Sequence, residues 1–375
     1  MYLDRSYKPR RRRRRFPIWP FVLLAIVAIV LYEQQPRWLV PQPAEATPIP
    51  TRSVASFMAD AQLLLADHRY EETLDAYREM ERLEPDNPAP LVAQAELYLL
   101  LQDLSKADLL ARKAVELAPD DPHALTVLAR ITDWVGEDYE AALNYALDAL
   151  EIEPESASTL AVLGEIYTDV GNWDVAEGYI EQALELEPEN ILALRNQAYL
   201  YERRGDYDAA VVAYDAAIDA APDRFDLYIE RGRQYRVGLL EYEKANDSYR
   251  QAVETYESAL TLDALGFGLY NVGDHLQAVR VLRQAVELDP DYGPALAHLG
   301  MALYARRNYE DAVLSLEKGI LIMGESARVE HIYTLGLAFI FKDPPECDKA
   351  ELWLNVALDI EPEIGPALEG LELCR

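Results

Sequence analysis

The sequence predicts an all-α protein, a right-handed α-solenoid of about nine helical hairpins with a C-terminal capping helix and one transmembrane helix before it. Three observations support this prediction. A proline followed by an acidic residue recurs about every 34 residues, and apolar residues follow a helical period between these prolines. An uncharged apolar segment near the N-terminus follows a block of arginines.

The first 32 residues join a basic segment to an apolar one. Residues 1–15 contain eight cationic side chains against Asp4, and residues 16–32 contain no charged side chain. Because a helix needs about 20 apolar residues to cross roughly 30 Å of hydrocarbon, residues 16–32 lie at the lower limit for a transmembrane helix. The positive-inside rule then predicts a single-pass cell-membrane protein, with residues 1–15 cytoplasmic and the helical array extracytoplasmic.

Two alternatives for residues 16–32 stay open, a cleaved secretory signal and a buried helix of a soluble protein. A cleaved signal needs small residues directly after the apolar stretch, and residues 32–36 offer none. Residues 33–53 form a Pro-rich linker that predicts a semi-extended spacer. Its prolines are Pro36, Pro41, Pro43, Pro48 and Pro50.

The charge balance excludes some classes of function. The chain has 35 Lys and Arg against 66 Asp and Glu, a net charge of −31, which excludes a general nucleic-acid binder. Its two cysteines are too few for a disulfide framework or a four-cysteine zinc site. No phosphate-binding loop, nucleophile elbow or zinc-protease motif occurs, and the five histidines are scattered. We therefore expect no enzyme, no metal site and no cofactor.

The recurring prolines predict a repeated helical hairpin, because proline stops the second helix of each unit. Their spacings are 34 or 35 residues, or about twice that. The sixth unit instead ends in Thr255-Tyr-Glu-Ser258 without proline, and units three and six carry an extra residue near the turn inside the hairpin. The prolines are Pro85, Pro119, Pro154, Pro188, Pro222, Pro290 and Pro362.

A small residue recurs at the eighth position of each unit, where it lets two helices approach closely. These residues are Ala61, Ala95, Ala129, Gly164, Ala198, Gly232, Gly266, Gly300 and Gly336. The fourth unit shows the complete pattern in Leu160, Leu163, Gly164, Tyr167, Ala176, Ile180, Ala183 and Pro188. This pattern resembles the tetratricopeptide repeat. About nine units cover residues 54–364, and residues 365–375 predict the capping helix.

The resemblance implies that a protein or peptide partner binds the concave groove, which the first helix of each hairpin lines. Carried over position by position, it gives the candidate binding residues Arg130, Arg195, Tyr199, Glu202, Arg233, Arg236, Phe267, Tyr270, Met301, Tyr304 and Tyr333. We expect the arginines to receive a carboxylate of an extended or helical partner segment, and the aromatic residues to pack against its apolar side chains. In the alternative, these arginines pair with Glu202 and Glu230.

The resemblance also places Cys347 in the turn of the ninth hairpin and Cys374 near the end of the capping helix. These places share an edge in stacked hairpins, which allows a disulfide, with two free thiols as the alternative. The predicted function is a membrane-anchored scaffold for protein interactions, whose helical array lies on the extracytoplasmic side and binds a partner segment in the concave groove. A cytoplasm-facing assembly or regulatory factor, and a small-molecule, sugar-binding or enzymatic groove, remain alternatives.

Overall fold

The computed structural model describes residues 17–33, 52–136 and 138–375. The chain divides into two compact units, residues 1–53 and residues 54–375. The described part of the first unit contains helix α1, Trp19–Glu33. The predicted basic segment 1–15 and nearly all of the predicted linker 33–53 lie outside the described residues.

Helix α1 is shorter than the transmembrane helix predicted for residues 16–32. It begins after Pro17 and has 15 residues, so at 1.5 Å per residue it is about 22 Å long, against roughly 30 Å of hydrocarbon. Among the described residues, no helix combines the length and the apolar character needed to cross a membrane. The structure therefore does not support the predicted transmembrane helix.

The described residues of the second unit form helical hairpins and contain no β-strand, which confirms the all-α solenoid. The first helices are α2 (Val54–Ala66), α4 (Ala89–Leu100), α6 (Pro122–Val135), α8 (Ala157–Asp169), α10 (Ile191–Arg204), α12 (Phe225–Arg233), α14 (Ala259–Asn271), α16 (Gly293–Ala305) and α18 (Val329–Phe341). The second helices are α3 (Tyr70–Leu83), α5 (Leu104–Leu117), α7 (Tyr139–Ile152), α9 (Trp173–Leu186), α11 (Tyr207–Ala220), α13 (Tyr242–Thr255), α15 (His275–Leu288), α17 (Tyr309–Met323) and α19 (Cys347–Ile360). Helix α20 (Gly365–Leu373) follows α19.

The predicted prolines mark the ends of second helices. In each unit that carries one, the helix ends two residues before the proline, as Leu83 precedes Pro85 and Ile360 precedes Pro362. The physical reason is that proline disfavours helical backbone in the residue before it. Most turns inside the hairpins use one residue with positive φ, such as Gly171 at 79°. An aspartate then often caps the next helix, as Asp274 accepts a hydrogen bond from the backbone N–H of Gln277.

The small residues at the eighth position permit close packing of the two helices in a hairpin. A Cβ atom on Gly164 would lie 2.5 Å from Ile180 Cγ1, and one on Gly300 would lie 2.4 Å from Leu316 Cγ. A larger residue at either position would force the helices apart.

A π-turn, Gln234–Gly238, interrupts the sixth hairpin directly after α12. This turn absorbs the extra residue that the sequence shows in unit six, because a π-turn holds one more residue than an α-helical turn. It changes the direction in which the next side chains point, Arg236 among them.

At the C-terminal end, α20 packs on α18 and α19 through the buried Ala367 and Gly370. The structure pairs Cys347 with Cys374 in a disulfide, with the two Cα atoms 5.5 Å apart. This bond joins the start of α19 to the residue that follows α20.

Candidate functional site

Four successive first helices share a chain of buried ion pairs. Arg195 on α10 lies between Glu165 on α8 and Glu230 on α12. Its guanidinium donates to the Glu230 carboxylate at 2.8 to 3.2 Å and also to Glu165. Arg195 is only 7% exposed and Glu165 only 1%, so these charges interact in a low-dielectric interior.

Helix α6 completes the environment of Glu165. Arg130 donates to its carboxylate at 3.1 Å, and the indole N–H of Trp134 donates at 2.9 Å. The guanidinium groups of Arg130 and Arg195 both lie over the Trp134 ring, 5.4 and 5.3 Å from its centroid. Burial acts to raise the pKa of Glu165, but the charges of Arg195 and Arg130 outweigh burial and lower that pKa.

Glu230 and Glu202 hold two of the candidate arginines. Burial acts to raise the pKa of Glu230, but the charge and hydrogen bonds of Arg195 bring it down to about 2. Arg233 donates to Glu202 at 3.2 Å, and Gln234 donates to the same carboxylate at 2.6 Å. Arg195 and Arg233 therefore form the pairs that the sequence left open as the alternative to partner binding.

One buried carboxyl group in this region accepts no hydrogen bond from a cationic or amide group of the described residues. Asp133 on α6 is 3% exposed, and neither of its oxygens accepts such a hydrogen bond. Burial, followed by the charges of Glu165 and Asp169, raises the pKa of Asp133 to about 9. Asp169 accepts a hydrogen bond from the hydroxyl of the candidate residue Tyr199. The raised pKa favours the neutral form of the Asp133 carboxyl.

Aromatic residues connect the first hairpin to the start and to the end of the sixth hairpin. Tyr70 at the start of α3 packs against Tyr256, which follows α13, with ring centroids 4.6 Å apart. Phe225 at the start of α12 lies 6.1 Å from Tyr70 and 5.1 Å from Tyr256. His68 donates to or accepts from the Tyr70 hydroxyl at 3.0 Å. We call His68, Tyr70, Phe225 and Tyr256 the seam, because they join parts of the array that are far apart in sequence.

The seam lies beside a cavity of about 530 Å³. Apolar side chains of the first two hairpins, including Leu97 and Leu100, line one part of this chamber. Its cationic part is lined by Arg130, Arg195, Arg224 and Arg233. The sequence predicted Arg130, Arg195 and Arg233 as candidate residues, but it predicted neither Arg224 nor the chamber. A signal was present, since Tyr256 occurs where unit six lacks the usual proline.

The first helices of units seven to nine carry a second group of candidate residues, which we call the aromatic groove: Phe267, Tyr270, Met301, Tyr304 and Tyr333. The Phe267 and Tyr270 rings are nearly parallel, with centroids 6.1 Å apart. Burial, then the nearby phenols of Tyr309, Tyr270 and Tyr333, raises the pKa of Tyr304. The four aromatic side chains are half-buried, whereas Met301 is 7% exposed and belongs to the packed interior.

A stacked row of side chains leads into the aromatic groove from unit six. The guanidinium of Arg236 lies 5.0 Å from the Phe267 ring centroid, and Phe267 stacks on His298 at 4.0 Å. His298 Nδ1 is hydrogen-bonded to the buried carboxylate of Asp263 at 2.7 Å. Within the described residues, Arg236 is the one candidate arginine that forms no ion pair, and its other contact is a 3.3 Å hydrogen bond to the Tyr249 hydroxyl.

The described residues offer no arrangement for a metal ion, since no group of three or more His, Cys, Asp and Glu side chains converges there. The geometry instead combines one charged chamber with one aromatic groove. Both lie along first helices, and the groove is the part that presents half-buried rings to a ligand.

Comparison with solved structures gives the same fold. The chain resembles the crystal structure of the APC/C hetero-tetramer Cut9–Hcn1 with a TM-score of 0.61 and 20% identity, over 81% of this chain and 59% of that one. It resembles the human IFIT1 dimer with PPP-AAAA with a TM-score of 0.57 and 17% identity, over 87% of this chain and 91% of that one. These identities establish similarity of fold alone.

Sequence comparison identifies the family. The small glutamine-rich tetratricopeptide repeat-containing protein 2 of Mycosarcoma maydis is 32% identical over 82 residues, and the match spans 19% of this chain and 23% of that relative. Two family models, both described as tetratricopeptide repeat, match residues 162–225 and residues 64–131 and 269–334, which together exceed half of the chain. The chain belongs to the tetratricopeptide-repeat family.

Proposed function

We propose that this chain is a non-enzymatic interaction scaffold that binds a segment of a partner protein in the aromatic groove. The observation that carries the proposal is the contrast between the two candidate regions. In units three to six, Arg195 and Arg233 are bonded to carboxylates and line a chamber beside the seam. In units seven to nine, half-buried aromatic rings remain available to pack against apolar side chains.

The hydroxyl groups of the groove add hydrogen-bonding capacity. Within the described residues, the hydroxyls of Tyr270, Tyr304 and Tyr333 have no hydrogen-bond partner. An extended segment exposes backbone carbonyl groups that accept hydrogen bonds, and its alternate side chains can pack on the rings. The groove therefore supports binding of a segment more than binding of a small polar molecule.

Site-specific photocrosslinking tests this proposal in the organism's own extract. A benzophenone amino acid replaces Tyr304 in the groove, and in a matched control it replaces Leu314, which is 68% exposed on second helix α17. We expect a crosslinked partner from position 304 and none from position 314. Equal crosslinking from both positions, or none from position 304, would show that the groove is not the binding surface.

We also propose that residues 16–32 hold the chain at a cell membrane, with the array on the extracytoplasmic side. The support is the basic segment before an uncharged apolar segment, together with the Cys347–Cys374 disulfide, which is typical of oxidising compartments. The apolar side chains of α1 are exposed, Phe21 by 66%. Two measurements test this proposal. Membrane fractionation should find the chain with the membrane, and a reporter fused after Arg375 should be active only if it works on the extracytoplasmic side. A chain in the soluble fraction, or activity of a cytoplasmic reporter, would contradict the proposal.

A further inference from the structure

The π-turn of unit six gives Arg236 a position that the regular repeat does not provide. The extra residue in Gln234–Gly238 shifts the helical register after Arg233, so the side chains that follow take a different direction. Tight packing fixes the turn, because a Cβ atom on Gly238 would lie 2.3 Å from the Tyr207 ring. The resulting geometry stacks Arg236 on Phe267, the first ring of the aromatic groove.

Arg236 differs from the other candidate arginines in its partners. Arg130, Arg195 and Arg233 each bond to a carboxylate, whereas the polar and ring interactions of Arg236 with the described residues are those with the Tyr249 hydroxyl and the Phe267 ring. These two contacts leave most of the five guanidinium N–H donors of Arg236 unused. In a chain with net charge −31, a half-buried arginine without an acidic partner is a specific local exception.

The opposite end of the groove carries the opposite charge. Burial, then the charge of Glu330 and the neighbouring Tyr270 phenol, raises the pKa of Tyr333, and Glu361 contributes to the same shift. Both Glu330 and Glu361 are exposed. Among the accessible charges, the groove therefore has Arg236 beside Phe267 and Glu330 and Glu361 beyond Tyr333, whereas the Asp263 carboxylate near Phe267 is buried against His298.

We propose that the aromatic groove binds an extended partner segment in one orientation, with an acidic side chain against Arg236 and apolar side chains on Phe267, Tyr270 and Tyr304. This inference rests on the proposed function and adds the chemistry and the direction of the partner. Charge complementarity fixes the direction, because a carboxylate is stabilised at the Arg236 end and repelled at the Glu330 end. A bidentate carboxylate also suits the planar guanidinium stacked on Phe267.

The test selects peptides from a displayed library of random 12-residue sequences on the full chain. We expect enriched peptides to share one acidic residue followed by apolar or aromatic residues. Their affinity should fall about tenfold in Arg236→Met, the loss of one charge-assisted contact. In Arg236→Glu, the enriched peptides should carry a basic residue at the same position. Arg280→Glu, an exposed site on α15, is the matched control and should leave the selection unchanged.

Two further results separate the inference from the proposed function. If Tyr304→Ala abolishes peptide binding while Arg236→Glu changes neither affinity nor consensus, the groove binds segments and the role of Arg236 is wrong. If no peptide is enriched, or if enriched peptides bind Tyr304→Ala normally, both proposals are wrong. Circular dichroism of every variant must match that of the parent chain. An Arg236 variant that has lost helix is replaced by the conservative Arg236→Lys, which should still select peptides with the acidic residue.

Discussion

At the scale of single residues, Arg195 joins the buried carboxylate of Glu165 to the largely buried carboxylate of Glu230. Replacing it by Met leaves Glu230 without its main counter-ion and leaves Glu165 with Arg130 as its one ion-pair partner among the described residues. Breaking a buried ion pair in this way typically destabilises a protein by about 3–5 kcal/mol. We expect Arg195→Met to lower the free energy of unfolding by that amount in urea denaturation followed by circular dichroism. Arg280→Met, on the exposed surface of α15, should change it by less than about 0.5 kcal/mol.

The raised pKa of Asp133 implies that the stability of the fold depends on pH. Its carboxyl is protonated in the folded chain up to about pH 9 but ionises near 3.8 when unfolded. Its contribution to stability is therefore full below pH 3.8 and is lost as the pH rises to about 9. We expect Asp133→Asn to remove this loss, so that the variant gains stability relative to the parent between pH 4 and pH 9. A stability difference that does not change with pH would contradict the shift.

At the scale of the helices, the ends of the helices and their contacts within a hairpin were the features best predicted from the sequence. Prolines such as Pro85 and Pro362 mark helix ends because their effect on the preceding residue is local, and the small residues such as Gly164 mark contacts within one hairpin. The sequence also placed an extra residue in unit six. It could not show that this residue forms a π-turn, because that depends on the packing of Gly238 against Tyr207 on the preceding unit.

Helix α20 depends on a covalent connection, because its buried surface is small. Only Ala367 and Gly370 are buried in it, and Cys374 ties its end to Cys347 across 27 residues. In the chain-entropy model a loop of this length contributes about 3–4 kcal/mol. We expect Cys347→Ser to speed hydrogen exchange of the α20 amides, measured by mass spectrometry, while α4 stays unchanged because repeats contact mainly their neighbours. Equal exchange in α20 with and without the bond would contradict this.

At the scale of the whole array, the seam was the feature least accessible from the sequence. Tyr70, Phe225 and Tyr256 meet only because several hairpins add their rotations, and no single repeat encodes that sum. The partners of Arg195 and Arg233 were likewise left open, because Glu230 and Glu202 lie on neighbouring helices at a relative angle that the motif does not specify.

The seam can be tested by distance measurement. Tyr256→Ala removes the ring that contacts both Tyr70 and Phe225. With spin labels at the exposed positions 75 on α3 and 247 on α13, we expect the interspin distance to lengthen and its distribution to broaden. Tyr179→Ala, which removes a stack with Tyr167 inside unit four, is the control and should leave the distance unchanged. An unchanged distance in Tyr256→Ala would mean that other contacts hold the first and sixth units together.

The seam also affects how the chain unfolds. In a simple repeat array, each unit is stabilised by its neighbours, so the terminal repeats fray first and the loss spreads inward. Contacts from Tyr70 to Phe225 and Tyr256 give the first hairpin partners outside its own neighbourhood. We therefore expect the first six hairpins to unfold together, so that the terminal hairpin is no longer the first to lose its structure. Units seven to nine, which carry the aromatic groove, retain the freedom to open one at a time.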